Sequence, residues 1–299
     1  MRKWLVVLAL FIAFVFALTA CGDSASSGNG EDSDSSDRLT QLQEDGTVVV
    51  GFANEKPYAY EEDGELKGVA VDVATAVLNE LGIENVEGHL ADFGQLIPGL
   101  EAKKYDIITA SMAINAERCE NVAFGEPEVK YGEGLIVEAG NPLNLHSYKD
   151  IADNPDVTVA IMSGATEIEF VQIEGVDPNQ IQNAPDIPAT FSAVESGRAQ
   201  ATTGTEMTIK MALESLDSDK LEFVEDFEQP NIEGVPSYGA AAFRLDDNEL
   251  REAYNEKLAE LKESDLYGEL LEANYFNATS NAVESDITTE MVCSGEVYE

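Results

Sequence analysis

Residues 68–82 read GVAVDVATAVLNELG, between two short β-branched runs, residues 48–52 (VVVGF) before and 106–110 (DIITA) after. Val73, Val77, Leu78 and Leu81 fall on one face at helical spacing and Gly82 is a stop, so residues 71–81 read as an amphipathic helix. Strand, helix, strand is the order of a parallel βαβ unit, which puts the chain in the α/β class. Leu96, Ile97 and Leu100 begin another helix, in which Pro98 is acceptable only in the first turn, and residues 134–137 read as a strand. After Gly140-Asn141-Pro142 the same grammar restarts. Residues 157–162, 221–223 and 239–243 read as strands, and 165–172, 189–196 and 249–261 as helices, the last with Leu250, Tyr254, Leu258 and Leu261 on one stripe. Punctuation near 140 and again at Pro236 divides the chain into two α/β lobes, residues 46–138 plus 238–299 and residues 139–237. Two lobes joined by two crossings form a hinged clamp.

The beginning of the chain is different. Met1-Arg2-Lys3 is cationic, residues 4–17 are apolar, and Leu18-Thr19-Ala20-Cys21 closes the run, so residues 1–20 read as an export signal. That closing phrase resembles the lipobox of bacterial lipoproteins, which implies a lipidated Cys21 and a protein held on the outer face of the cell membrane. Residues 22–37, GDSASSGNGEDSDSSD, cannot bury enough surface to fold, so 21–45 read as a flexible acidic Ser/Gly linker. Its acids lack the ligand spacing of a calcium loop.

With 58 acidic and 17 basic residues the formal charge is −41, which excludes nucleic acid as a partner. Acidity spread along the chain, rather than confined to a tail, suits a protein working in high salt. Cys119 and Cys293 are the cysteines left after Cys21, and in an exported protein they either pair or stay as free thiols. Neither has a nearby His, and no cofactor or metal motif is read.

Residues 51–60, GFANEKPYAY, follow directly on the first strand. Asn54 and Pro57 mark a turn at the carboxyl end of a parallel strand, the end at which α/β folds bind small molecules. The stretch reads either as a plain surface turn or as part of a ligand site.

Four phrases in order, GVAVDVATAVLNELG, DFGQLIPGLEAKKYDII, MAINAERCENVAF and SGRAQA, make the chain resemble the solute-binding proteins of ABC importers for polar amino acids and related solutes, from Gly46 to about Tyr275. The stretches GFANEKPYAY, FGQLIPGL, NAERCENVAF and SGATE are closest to the ectoine/hydroxyectoine-binding branch. The resemblance implies a type II periplasmic-binding-protein-like fold, two α/β lobes joined by a two-strand hinge with the ligand cleft between them. It also implies a non-enzymatic monomer that hands a zwitterion to membrane permease subunits. Residue by residue it implies that Glu55 holds the ligand's cationic ring nitrogens beside Tyr58, and that Phe93, Arg118, Thr166 and Glu167 complete the site.

The chemistry is consistent with that assignment. A planar Arg118 fork grips a carboxylate, with backbone N–H groups of an Asn115-capped helix adding to the anion site. Ser163, Gly164 and Thr166 open another helix and offer donors to the same carboxylate. Tyr58 and Phe93 stack on a delocalised cation that Glu55 and Glu167 neutralise. Thr205 is a secondary candidate; it ends the stretch 196–205, the region in which common amino-acid binders carry an aspartate for the α-ammonium and this chain has none. Without that aspartate an ordinary amino acid would leave its ammonium poorly paired. Ala113 is a second departure, because ectoine binders present an aromatic there; it leaves a polar amino acid, a betaine or another zwitterion as the alternative ligand. A sensor domain or an enzyme on the same scaffold are the other classes, but His89 and His146 stand in no catalytic phrase.

Overall fold

The computed structural model describes residues 37–216 and 218–298; the expected signal sequence, Cys21 and the expected linker up to residue 36 lie outside the described residues. The last part of the expected linker is instead a helix, α1 (Arg38–Asp45). Asp37 caps it by accepting from the Leu39 and Thr40 N–H groups, Gly46 closes it at φ +63°, and Leu42 is fully buried against the first lobe. One apolar face and a cap suffice for a helix that a neighbouring core completes.

The chain continues through β1 (Thr47–Phe52), the hairpin β2 (Tyr60–Glu62) and β3 (Glu65–Lys67), α2 (Val69–Glu80), β4 (Asn85–Leu90), α3 (Leu96–Glu101), β5 (Ile107–Ala113), α4 (Ala116–Cys119), β6 (Ala123–Phe124) and β7 (Val129–Tyr131). Gly132 leads into β8 (Glu133–Glu138), α5 (Tyr148–Ala152), β9 (Val159–Met162), α6 (Glu167–Ile173), β10 (Ile181–Ala184), α7 (Ile187–Glu195), β11 (Ala201–Thr205), α8 (Glu206–Leu216) and β12 (Leu221–Phe223). It ends with β13 (Ser237–Phe243), α9 (Asn248–Lys262), α10 (Asp265–Ala273) and α11 (Thr289–Cys293).

Two mixed sheets result. One has the order β4-β1-β5-β13-β6 with β7 beside β13, the other β10-β9-β11-β8-β12. In the first, β1 runs parallel to β4 and β5 while β13 returns antiparallel to β5. In the second, β9 runs parallel to β10 and β11, and β8 is antiparallel to β11. Apolar side chains cover both faces of each sheet, with Val73, Val77 and Leu78 of α2 and Leu250, Tyr254 and Leu258 of α9 on one face of the first. Burial of each such side chain contributes about 1.5–3 kcal/mol.

The crossing between lobes differs from the expected boundary at 138. β8 pairs with β11 and β12, so residues 133–138 belong to the second lobe and the chain crosses at Gly132. Gly140, at φ +81°, is a turn within that lobe. Gly140-Asn141-Pro142 marks a turn, whereas the crossing runs straight from β7 to β8 through the single residue Gly132. The return crossing precedes β13 at Pro236. Cys119 and Cys293 are joined as a disulfide, tying α11 to α4, and Tyr298 reaches the return crossing through a hydrogen bond from its hydroxyl to Pro236 O (3.2 Å). No helix among the described residues is long and apolar enough to cross a membrane.

Candidate functional site

The carboxyl ends of β1, β5, β9 and β11 converge between the lobes, and these strand ends and the segments that follow them line one cavity, partly open to solvent. After β1, the Glu55 N–H donates to Ala59 O (2.8 Å) and the Tyr58 N–H to Glu55 O (2.8 Å), while Asn54 Oδ1 accepts from the Glu61 N–H (3.0 Å). This tight turn sends Glu55 and Tyr58 into the cavity. Lys56 turns away to Glu62 (3.2 Å) and lies over the Tyr60 ring. Burial, and then the nearby Glu167, push the Glu55 carboxyl up to about 8, against the pull of Arg118. Tyr58 is 3% exposed, packs edge-on to Tyr131 with centroids 5.1 Å apart, and has a hydroxyl without a hydrogen-bond partner among the described residues.

After β5, Asn115 Oδ1 caps α4 by accepting from the Arg118 N–H (2.8 Å). The guanidinium, only 8% exposed, donates from Nη1 to Ala113 O (2.7 Å) and from Nη2 across the cleft to Gly164 O (2.8 Å), with its carbon 5.4 Å from the centre of the Phe93 ring. Arg118 makes no ion pair with a described residue. Burial pulls its pKa down, and the charge still has donors to offer a carboxylate.

The second lobe supplies Thr166, Glu167 and Thr205. Thr166 stands at the N-cap of α6, yet its hydroxyl makes no capping bond. Glu167 is 4% exposed; burial raises its pKa, while its own N–H, the Glu133 carboxyl, Arg118 and the Thr205 N–H oppose that rise. Glu55, Tyr58, Phe93, Arg118, Thr166, Glu167 and Thr205 thus line one cavity.

Ser163 and Gly164 do not. The Ser163 N–H donates to Ala184 O (2.8 Å), extending the β9–β10 ladder, so it has no donor left on the backbone for a ligand. Gly164, at φ +84°, gives its carbonyl to Arg118, and a Cβ there would lie 2.8 Å from the Gly94 Cα of the other lobe. Both residues belong to the contact between lobes.

Sequence reading missed Tyr131, Ser111 and Thr203 in the cavity wall. Tyr131 donates to Ser111 O (2.8 Å), Ser111 has φ +45° and a buried hydroxyl without a partner, and Thr203 donates to Gly134 O (2.7 Å). The Thr202-Thr203-Gly204-Thr205 run is the one signal that could have marked a strand end there; Tyr131 and Ser111 carry none.

A family model for bacterial extracellular solute-binding proteins, family 3, matches residues 48–278. The chain belongs to that family. This family-3 protein is 38% identical over 261 residues to the probable amino-acid ABC transporter periplasmic-binding protein y4tE of Sinorhizobium fredii, covering 86% of each chain. It is 27% identical to the arginine-binding extracellular protein ArtP of Bacillus subtilis, over 88% of this chain and 94% of the relative. Among solved structures, EhuB in complex with hydroxyectoine is similar at a TM-score of 0.77 and 32% identity, over 86% of this chain and 97% of that one. An ancestral arginine-binding protein bound to arginine is similar at 0.66 and 26%, over 77% and 98%. The family-3 protein has the type II periplasmic-binding-protein fold, α/β with mixed sheets.

Proposed function

We propose that this family-3 protein captures a small zwitterionic compatible solute, ectoine or hydroxyectoine, outside the membrane and delivers it to an ABC permease. The observation that carries the reading is one cavity holding Arg118, a guanidinium without an ion-pair partner among the described residues, together with two carboxyl groups, Glu55 and Glu167, and the rings of Tyr58, Phe93 and Tyr131. Arg118 takes the ligand carboxylate, Glu55 and Glu167 its delocalised cation, and the rings its apolar faces. The stretch 196–205 carries no aspartate, which lowers the fit for a free α-ammonium. The hydroxyectoine complex of a related protein and the chain's acidity support the same solute class. Anchoring through a lipidated Cys21 would keep the protein near its permease.

Ala110 and Ala113 leave one wall of methyl groups where a further ring would close the cage, which favours a second reading, a polar amino acid or a betaine. Calorimetric titration of signal-free protein with ectoine, hydroxyectoine, proline, glutamate, arginine and glycine betaine separates the two. Tightest binding of either ectoine is the expected result. Tighter binding of arginine, another amino acid or a betaine, with ectoines inert, overturns the assignment.

A further inference from the structure

Glu133 opens β8 one residue after the Gly132 crossing and stands opposite Thr205 in the β8–β11 ladder. It is 1% exposed. Gln229 satisfies its backbone, accepting from the N–H (2.8 Å) and donating to the carbonyl (2.6 Å). Its carboxyl has less company: Ser237 Oγ lies 3.4 Å from Oε1, and Oε2 finds no N–H or O–H donor among the described residues. No lysine or arginine among the described residues forms an ion pair with it. The side chain meets the Glu167 carboxyl in a hydrogen bond. Two ionised carboxylates are acceptors only, so that contact needs a proton between them.

The surroundings decide which partner holds the proton. Glu167 accepts from its own N–H and the Thr205 N–H and faces Arg118, all of which favour its ionised form. Glu133 faces Glu167 from α6 and Glu206 from α8, and its field reaches the hydroxyls of Tyr58, Tyr131 and Tyr148. Apart from the long Ser237 contact, nothing there favours a negative charge, and burial opposes one.

We propose that Glu133 is a positioning residue of the ligand site that works as a neutral acid, donating its proton to Glu167 and holding that carboxylate against the cavity. The assignment rests on Glu167 facing the ligand. A glutamine at 133 can donate an N–H in the same place, whereas a leucine cannot.

The test compares wild type, Glu133→Gln and Glu133→Leu, each shown to melt cooperatively, in calorimetric titration with hydroxyectoine. It adds infrared spectra of the ligand-free proteins at pH about 9, above the values of about 8 for Glu55 and about 7 for Glu128. Glu133→Gln should bind within about threefold of wild type and Glu133→Leu at least about tenfold more weakly, since the latter strips a buried carboxylate of its donor. The wild type should show the carbonyl stretch of a protonated carboxylic acid at that pH, and Glu133→Gln should lack it. Equal losses in both variants would make Glu133 a needed charge, and an undiminished Glu133→Leu would remove its positioning role; either overturns the proposal. Absence of the acid band from the wild type overturns it without any ligand. If hydroxyectoine fails to bind the wild type, the ligand assignment falls and the infrared result still decides the proton.

Discussion

The first-lobe wall of the cleft carries Arg118, the Phe93 ring and the turn with Glu55 and Tyr58; the second-lobe wall carries Thr166, Glu167 and Thr205 with Glu133 behind them. On the first wall, short-range bonds set the side chains: Asn115 caps the residue three places on, and Glu55 closes its turn on Ala59. On the second, Glu167 is set by Thr205 and Glu133, residues from strands far apart in the chain that meet through antiparallel pairing. The cation and most of the rings therefore come from one lobe and a fixed carboxylate from the other. In the proposed function a zwitterion is matched at both ends by these two walls, and the Arg118 bond to Gly164 O ties the walls together.

Removing the guanidinium should break this arrangement most. Arg118→Ala is expected to weaken calorimetric binding of ectoines by at least about 100-fold, roughly 3 kcal/mol, because it removes both the anion grip and the bond across the cleft. Wild-type affinity in that variant would show that the carboxylate end lies elsewhere.

Glu55→Gln follows, with an expected loss of about tenfold or more at neutral pH. The pH dependence has a definite sign. Ligand-free Glu55 holds a proton up to about 8, and a bound cation favours its carboxylate, so binding below that pH releases a proton. Affinity of the wild type should rise with pH and level off above about 8, and Glu55→Gln should flatten the profile. Titration in buffers of different ionisation heats counts the proton; none released would place Glu55 away from the cation.

Gly164→Ala touches no ligand atom. Its Cβ would meet the Gly94 backbone at 2.8 Å, at a φ of +84° that disfavours side chains, so affinity should fall about tenfold while small-angle scattering shows a more open particle. The smallest effect is expected from Tyr58→Phe. Its hydroxyl has no partner among the described residues, so the melting temperature should hold while affinity falls about threefold through one lost ligand hydrogen bond. A lower melting temperature with unchanged affinity would make that hydroxyl structural.

Much of the first wall was legible in the sequence because its signals are local. Asn54 and Pro57 mark the turn, Asn115 marks the cap before Arg118, and strand–helix alternation marks the α/β class. The second wall was legible in part. Thr166 and Glu167 announce a helix start, but the same phrase suggested donors from Ser163 and Gly164 that the structure directs elsewhere. Ser163 loses its N–H to β10, and Gly164 faces Gly94 rather than the cavity. The end of the linker at α1, the crossing at Gly132, and the places of Tyr131, Ser111 and Glu133 left no local mark.

By itself the sequence determined the two α/β lobes, their order and the turn that carries Glu55 and Tyr58, because periodicity, capping and turn chemistry act over a few neighbouring residues. Tertiary structure alone decided that β8 joins the second sheet, that Arg118 reaches Gly164, and that Glu133 meets Glu167. Those contacts depend on strand register and lobe packing between distant segments, and on burial, which turns an ordinary glutamate into one of a pair that must share a proton.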